Sequence, residues 1–229
     1  MKRIFVVGLW AAASAVAAPA GAADLVGRVE VLAKGRPSPG QASQAVVWFE
    51  PDRGGGAPAP ARPLEMVTRK KEFQPRVLVA LRGATVAFPN RDPILHNVFS
   101  VSEARSFDLG LFGTGEAGRV RFEKGGVVRV FCNVHHDMVG YLLVLDTPHH
   151  TAPEVSGAFR LRGLPPGPGT LTVWHEQAEP WSARVEVPAG GAAAPVEVRL
   201  ELSKPRIPPH LDKLGRSYRE RRRDRYRGD

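Results

Sequence analysis

Val127-Val128-Arg129-Val130-Phe131-Cys132-Asn133-Val134-His135-His136-Asp137-Met138 is an apolar run that ends in a cluster of metal-binding side chains. On a strand, alternate residues share a face, so Cys132 falls on the side of Val128 and Val130. That places the sulfur at the end of an apolar interior. His135 and Met138 follow at three-residue steps, and a tight loop can aim all three side chains at one point. Thiolate, imidazole and thioether are a soft donor set, and the thioether favours copper over zinc. A second imidazole is needed to complete a trigonal plane of two His and one Cys. His96 is the candidate, in Asp92-Pro93-Ile94-Leu95-His96-Asn97-Val98, where one β run has ended and the next begins. Taken singly, each residue has a plainer reading. A lone Cys at a strand end is most often a small buried hydrophobe. A lone Met after a turn is usually core, and a lone His is usually a loop residue. The joint pattern carries the metal reading, because independent features agree.

Outward from this stretch the chain reads as all-β. Helix signals are nearly absent, and short runs rich in Val, Phe and Leu recur between Gly and Pro. Candidate strands are 25–32, 45–50, 64–69, 76–81, 85–88, 97–101, 118–122, 127–132 and 141–145. A Gly-, Pro- and Ala-rich loop fills 51–63. A second group at 158–161, 170–175, 182–187 and 196–202 follows a break at 147–153. The expected organisation is a signal peptide at 1–22, a first domain at 23–147, a smaller β domain at 148–202 and a basic, disordered tail at 203–229.

Cys132 is the single cysteine of the 229 residues, so it cannot form a disulfide within its own chain. At the N-terminus Lys2 and Arg3 precede an apolar run that ends in Ala20-Gly21-Ala22. These are the parts of a secretory signal, and the run is shorter than the roughly 20 residues of a membrane-spanning helix. The protein is expected to be exported, and periplasmic in a Gram-negative host. The formal charge of +9 is unevenly placed. Residues 203–229 hold ten Lys or Arg against four Asp or Glu, and the export signal adds two more. The body between is therefore almost neutral, which argues against a nucleic-acid partner.

The chain resembles the cupredoxins. The Cys132-x-x-His135-x-x-Met138 spacing is similar to that of amicyanin, with plastocyanin and pseudoazurin as relatives, and His96-Asn97-Val98 matches the triplet at their first ligand. The resemblance covers about residues 24–146. It implies a Greek-key β-sandwich or barrel and one type 1 copper ion bound by His96, Cys132, His135 and Met138. Met138 would be a long, weak axial ligand, and Asn97 would tie the two ligand-bearing loops together by hydrogen bonds. It also implies one-electron transfer through the exposed edge of His135, ringed by Ile94, Leu95, Val134 and Val139. One departure is His136, where many relatives carry Pro.

Residues 153–202 resemble a carboxypeptidase regulatory-like (transthyretin-like) β-sandwich. The likeness rests on Gly157-Ala158-Phe159-Arg160-Leu161-Arg162-Gly163-Leu164-Pro165-Pro166-Gly167 followed by Thr170-Leu171-Thr172-Val173-Trp174-His175. Such modules are non-catalytic, and Trp174 and Trp181 are expected in its core. His149, His150 and His175 lack a thiol or carboxylate at ligand spacing and are not read as a second metal site. Chains of this two-part layout are often labelled methylamine utilization proteins, by analogy with amicyanin.

With four protein ligands no position stays open for a substrate, so the expectation is an electron carrier and no enzyme. The rival is a copper chaperone or copper store using the same ligands. A carrier would serve a redox protein such as a c-type cytochrome or a dehydrogenase. The protein is expected to be monomeric, with a tail drawn to anionic lipid or an acidic partner. Removing that tail is expected to leave the metal centre unchanged.

Overall fold

The computed structural model describes residues 23–190 and 193–216. Among them, every regular element is a strand except one turn of 3-10 helix at Ala42–Gln44. The signal peptide expected at 1–22 and residues 217–229 of the tail lie outside the described residues. The protein is all-β, as the sequence implies, and its sheets stay open without closing into a barrel.

The central five-stranded sheet runs Arg105–Phe112, His96–Ser102, Gly126–Cys132, Val139–Leu145, Val77–Leu81 in spatial order. All seven residues of Val139–Leu145 are buried. A strand apolar along its whole length is expected where both faces are covered. On one face Val98, Val128, Val130, Cys132, Leu142 and Val144 meet Val86, Phe88, Val120 and Phe122. The opposing residues come from and flank a three-stranded sheet of Ala117–Arg121, Thr85–Pro89 and Leu64–Glu65. On the other face Phe99, Phe131, Val139, Tyr141, Leu143 and Leu145 meet Val46 and Trp174. The Tyr141 and Trp174 rings sit edge to face there, 5.3 Å between centroids.

Strand pairing departs from the expected domain boundaries. Ala23–Ala33 pairs antiparallel with Ala158–Leu164 and parallel with Val196–Glu201. Val46–Pro51 pairs with Gly167–Trp174 and with His150–Thr151. The first two long strands, expected in the 23–147 unit, thus build the two sheets of the second sandwich. Leu25, Val29, Val47, Phe49, Leu161, Leu171, Val173 and Val198 fill the layer between those sheets. Close approach is enforced at Gly27, where a Cβ would run into the Val196 carbonyl and the Phe159 ring. The chain therefore stacks four sheets with three apolar layers between them. Strands 64–145, which carry the candidate ligands, are an excursion from a sandwich whose strands run from Ala23 to Glu201.

The described part of the tail also differs from expectation. Residues 203–216 lie against the body and are not a solvated extension. The His210 ring stacks on Phe131, with centroids 4.1 Å apart and planes 16° from parallel. The Arg76 guanidinium donates to the Arg206 carbonyl at 2.9 Å. Low apolar content hid this docking, because it rests on single polar and ring contacts and not on an apolar face.

Candidate metal centre

His96 opens one strand of the central sheet and Cys132 closes its antiparallel neighbour. Cys132 lies opposite Val98 in the register, which brings both candidate ligands to one end of the sheet. The chain then doubles back. The Met138 N–H donates to the His135 carbonyl at 3.0 Å, and the Cys132 N–H donates to the Met138 carbonyl at 3.2 Å. This short loop returns His135 and Met138 to the neighbourhood of Cys132. Met138 is buried in the same apolar layer as Cys132.

Cys132 Sγ is 3.5 Å from His96 Nδ1 and 3.8 Å from His135 Nδ1. The donor atoms of these three residues all lie within 4.8 Å of one another. Metal–sulfur and metal–nitrogen bonds of about 2.3 and 2.0 Å require S···N separations of about 3.5 Å for tetrahedral and about 3.7 Å for trigonal coordination. The observed pair brackets those values. His96, Cys132 and His135 therefore fit a metal ion as they stand. Among the described residues this is the one such group.

The electrostatics favour the same use. Burial alone would raise the Cys132 thiol pKa. A hydrogen bond with His96 and the backbone N–H groups of Asn97, His135 and Val134 outweigh it, and the pKa is lowered. A thiolate is the metal-binding form. Burial works against a charged His96, but Cys132 and Asp92 overcome it and raise its pKa. His135 is pushed the other way, by burial first and then by His96 and Lys71, which favours its neutral, metal-binding form.

Asp92 orients His96 from behind, with its carboxylate 2.9 Å from Nε2, which leaves Nδ1 facing the sulfur. A carboxylate behind a ligating imidazole fixes its tautomer and ring angle. Asp92 in turn accepts the N–H groups of Lys70 and Lys71, at 2.5 and 2.9 Å. Those two residues form the tip of the hairpin Val67–Arg69/Glu72–Gln74, both with positive φ, at 56° and 59°. Asn90, fully buried, braces the loop by donating to the Ile94 and Phe112 carbonyls and accepting from Thr68 and the Asp92 N–H.

Asn97 links the two ligand loops through its backbone, whereas the resemblance implies hydrogen bonds of the family type without saying which atoms. Its carbonyl accepts the Asn133 N–H at 3.1 Å. Its side chain points elsewhere, donating to Asp108 Oδ1 at 2.6 Å and to the Gly110 carbonyl at 2.7 Å. Of the apolar ring expected around His135, Leu95 and Val134 are exposed, at 54% and 45%, but Val139 is buried in the layer against the second sandwich. The His136 side chain is exposed and sits 3.2 Å from Asp137. His175 is buried, its Nδ1 accepting the Gln177 N–H at 3.1 Å, and it joins no metal-binding group.

Sequence reasoning passed over Asp92, Asn90, the Lys70-Lys71 turn and Asp108. The cluster Asn90-Arg91-Asp92-Pro93 is a turn signal directly before a candidate ligand, and side-chain-to-backbone bonding by Asn and Asp could have been read from it. Nothing in the sequence points from Lys70 to Asp92.

Fold and site together define an all-β protein with a closed His–Cys–His group at one end of a buried sheet. No family model matches the chain, and no curated protein matches it. Among solved structures it is similar to a purple cupredoxin from Nitrosopumilus maritimus, with 23% identity and a TM-score of 0.33 over 36% of this chain and 99% of that one. It is similar also to a reduced mutant of amicyanin, at 20% identity and 0.35 over 44% and 99%. A third is the copper-containing nitrite reductase of Thermus scotoductus SA-01, at 24% identity and 0.36 over 50% and 28%. At such scores the ligand assignment stands on this chain's own residues.

Proposed function

We propose that the protein is an exported type 1 copper protein that carries single electrons between redox partners. His96, Cys132 and His135 would hold the ion in a plane, with Met138 as axial donor. The observation that carries this reading is the pair of S···N separations, 3.5 and 3.8 Å, around a buried thiol whose pKa is lowered toward the metal-binding form. Copper supplies a one-electron couple when bound. The chain's own residues supply the rest. Asp92 locks the His96 ring, and three backbone N–H groups share the thiolate's charge. The 132–138 loop fixes the other two donors. His135 is the ligand nearest solvent, and exposed Leu95 and Val134 offer a small apolar surface for a transient partner such as a c-type cytochrome or a dehydrogenase. Four protein donors leave no place for a substrate, so the role is transfer and not catalysis. The second sandwich, carboxypeptidase regulatory-like in its sequence, acts in this reading as a cover for the outer face of the metal-bearing sheet.

The test is the visible and paramagnetic-resonance spectrum of the chain loaded with Cu(II). An intense thiolate-to-copper band with narrow hyperfine splitting is expected, and Cys132→Ser should abolish both. A colour that survives this substitution overturns the assignment. Reversible one-electron cycling distinguishes a carrier. Ready surrender of Cu(I) to an acceptor would identify a chaperone or store instead.

A further inference from the structure

We propose that residues 203–216 form a strap that sets the ligand-bearing segments in place, with Lys213 as its positioning residue. Lys213 reaches the neighbour of one candidate ligand directly, at Asn133, and that of another, Asn97, through Asp108. Its ammonium lies 2.6 Å from Asp108 Oδ2. The other oxygen of that carboxylate accepts the Asn97 side chain at 2.6 Å and the Gly110 N–H at 3.0 Å. Asp108 sits where the register of Arg105–Phe112 against His96–Ser102 shifts, and such a bulge re-aims a side chain. Here it turns a carboxylate toward both Asn97 and the strap. The Lys213 backbone N–H donates to Asn133 Oδ1 at 3.3 Å. Asn97 follows His96, and Asn133 follows Cys132.

The same pattern holds at Met138. The next residue, Val139, offers its carbonyl to Arg76 Nη1 at 3.1 Å. Arg76 also donates to the strap at Arg206, and its Nε lies 3.0 and 2.7 Å from the two carboxylate oxygens of Glu176 in the second sandwich. The residues that follow three of the four donors are thus all held by the strap or by the arginine that anchors it. The strap has its own internal shape. Asp212 is buried and accepts the N–H groups of Leu214 and Arg216, each at 2.9 Å, which presents Lys213 to Asp108. His210 on Phe131 holds it to the sheet. Fixing the backbone beside each donor limits how far the donors move, and a displacement of about 0.5 Å is enough to spoil a site of this kind.

Cys132 is fully buried, so a thiol reagent reaches it only when the ligand loop opens. The test is the alkylation rate of Cys132 in the metal-free full chain, with amide exchange at Asn97 and Asn133. Amides of Ala23–Ala33 serve as a reference for global opening. In Lys213→Met the rate should rise about three- to fivefold, the scale of one partly exposed ion pair. Exchange should quicken at Asn97 and Asn133 while the reference amides stay unchanged, and Lys213→Arg should restore both. Truncation after Leu202 should raise the alkylation rate further and alter the Cu(II) spectrum. Should the truncated chain not fold, the Lys213 pair decides. A Lys213→Met variant with native alkylation and native exchange overturns the strap, as does a folded truncation with a native spectrum. The inference deepens the copper reading, but the metal-free readouts stand apart from it. A chain that never binds copper would defeat the proposed function and leave the strap to be judged on thiol reactivity.

Discussion

In the proposed site Met138 is the donor that would distinguish this group from a zinc site, since two imidazoles and a thiolate would serve either metal. As a weak axial donor it should stabilise the oxidised ion slightly. Met138→Leu is therefore expected to keep copper and raise the reduction potential, while His96→Ala should damage the site outright. Equal loss of metal in both variants, measured by copper content after dialysis, would contradict the axial role. Cys132, His135 and Met138 were legible as candidate donors because they share one seven-residue turn, where spacing fixes proximity, and the structure groups Cys132 and His135 with His96. His96 was legible by its place at a strand start. Asp92 was not, although it is four residues away, because its role depends on which ring nitrogen faces inward. That is decided by the loop that Asn90 holds.

At the scale of elements, the hairpin Val67–Arg69/Glu72–Gln74 carries a conflict between sequence and shape. A two-residue loop with both central residues at positive φ calls for Asn-Gly, yet it holds Lys70-Lys71. The left-handed conformation costs a non-glycine residue roughly 1–2 kcal/mol. Lys70→Asn with Lys71→Gly should raise stability by about 1 kcal/mol, read as a higher urea midpoint. The copper spectrum should not change, because both backbone N–H groups still reach Asp92. A lower midpoint would show that the lysine side chains matter more than the turn. Arg105–Phe112 is the longest element that the sequence concealed. It is an edge strand with only Phe112 buried, and its bulge interrupts the alternation by which strands are recognised.

At the scale of the molecule, the central sheet is core on both faces, so neither half of the chain is complete without the other. Residues 64–147 alone would expose Phe131, Val139, Tyr141, Leu143 and Leu145. That fragment should fail to fold as a soluble monomer, and the full chain should unfold in one thermal transition. Trp174→Ala should destabilise the whole by about 3–5 kcal/mol, in the range of large aromatic truncations. A fragment that folds and binds copper by itself would refute this coupling. The all-β class was plain from composition and turn spacing. The assignment of Ala23–Ala33 and Val46–Pro51 to sheets was not, because a strand's alternation says which face is buried and nothing about which distant strand it will join.

The parallel pairing of Ala23–Ala33 with Val196–Glu201 has a consequence for the order of events during synthesis. The first strand emerges with its hydrogen-bonding edge unmet, and its partner is made about 170 residues later. Pairings of such long sequence separation close slowly, since loop entropy is lost before any contact compensates it. His96 through Met138 are all made within that interval. The excursion that carries the candidate ligands can thus collapse while the outer sandwich is still unfinished. Until Val196–Glu201 arrives, an apolar sheet edge stands open to unwanted association, which makes this the stage at which a newly made chain most needs a chaperone.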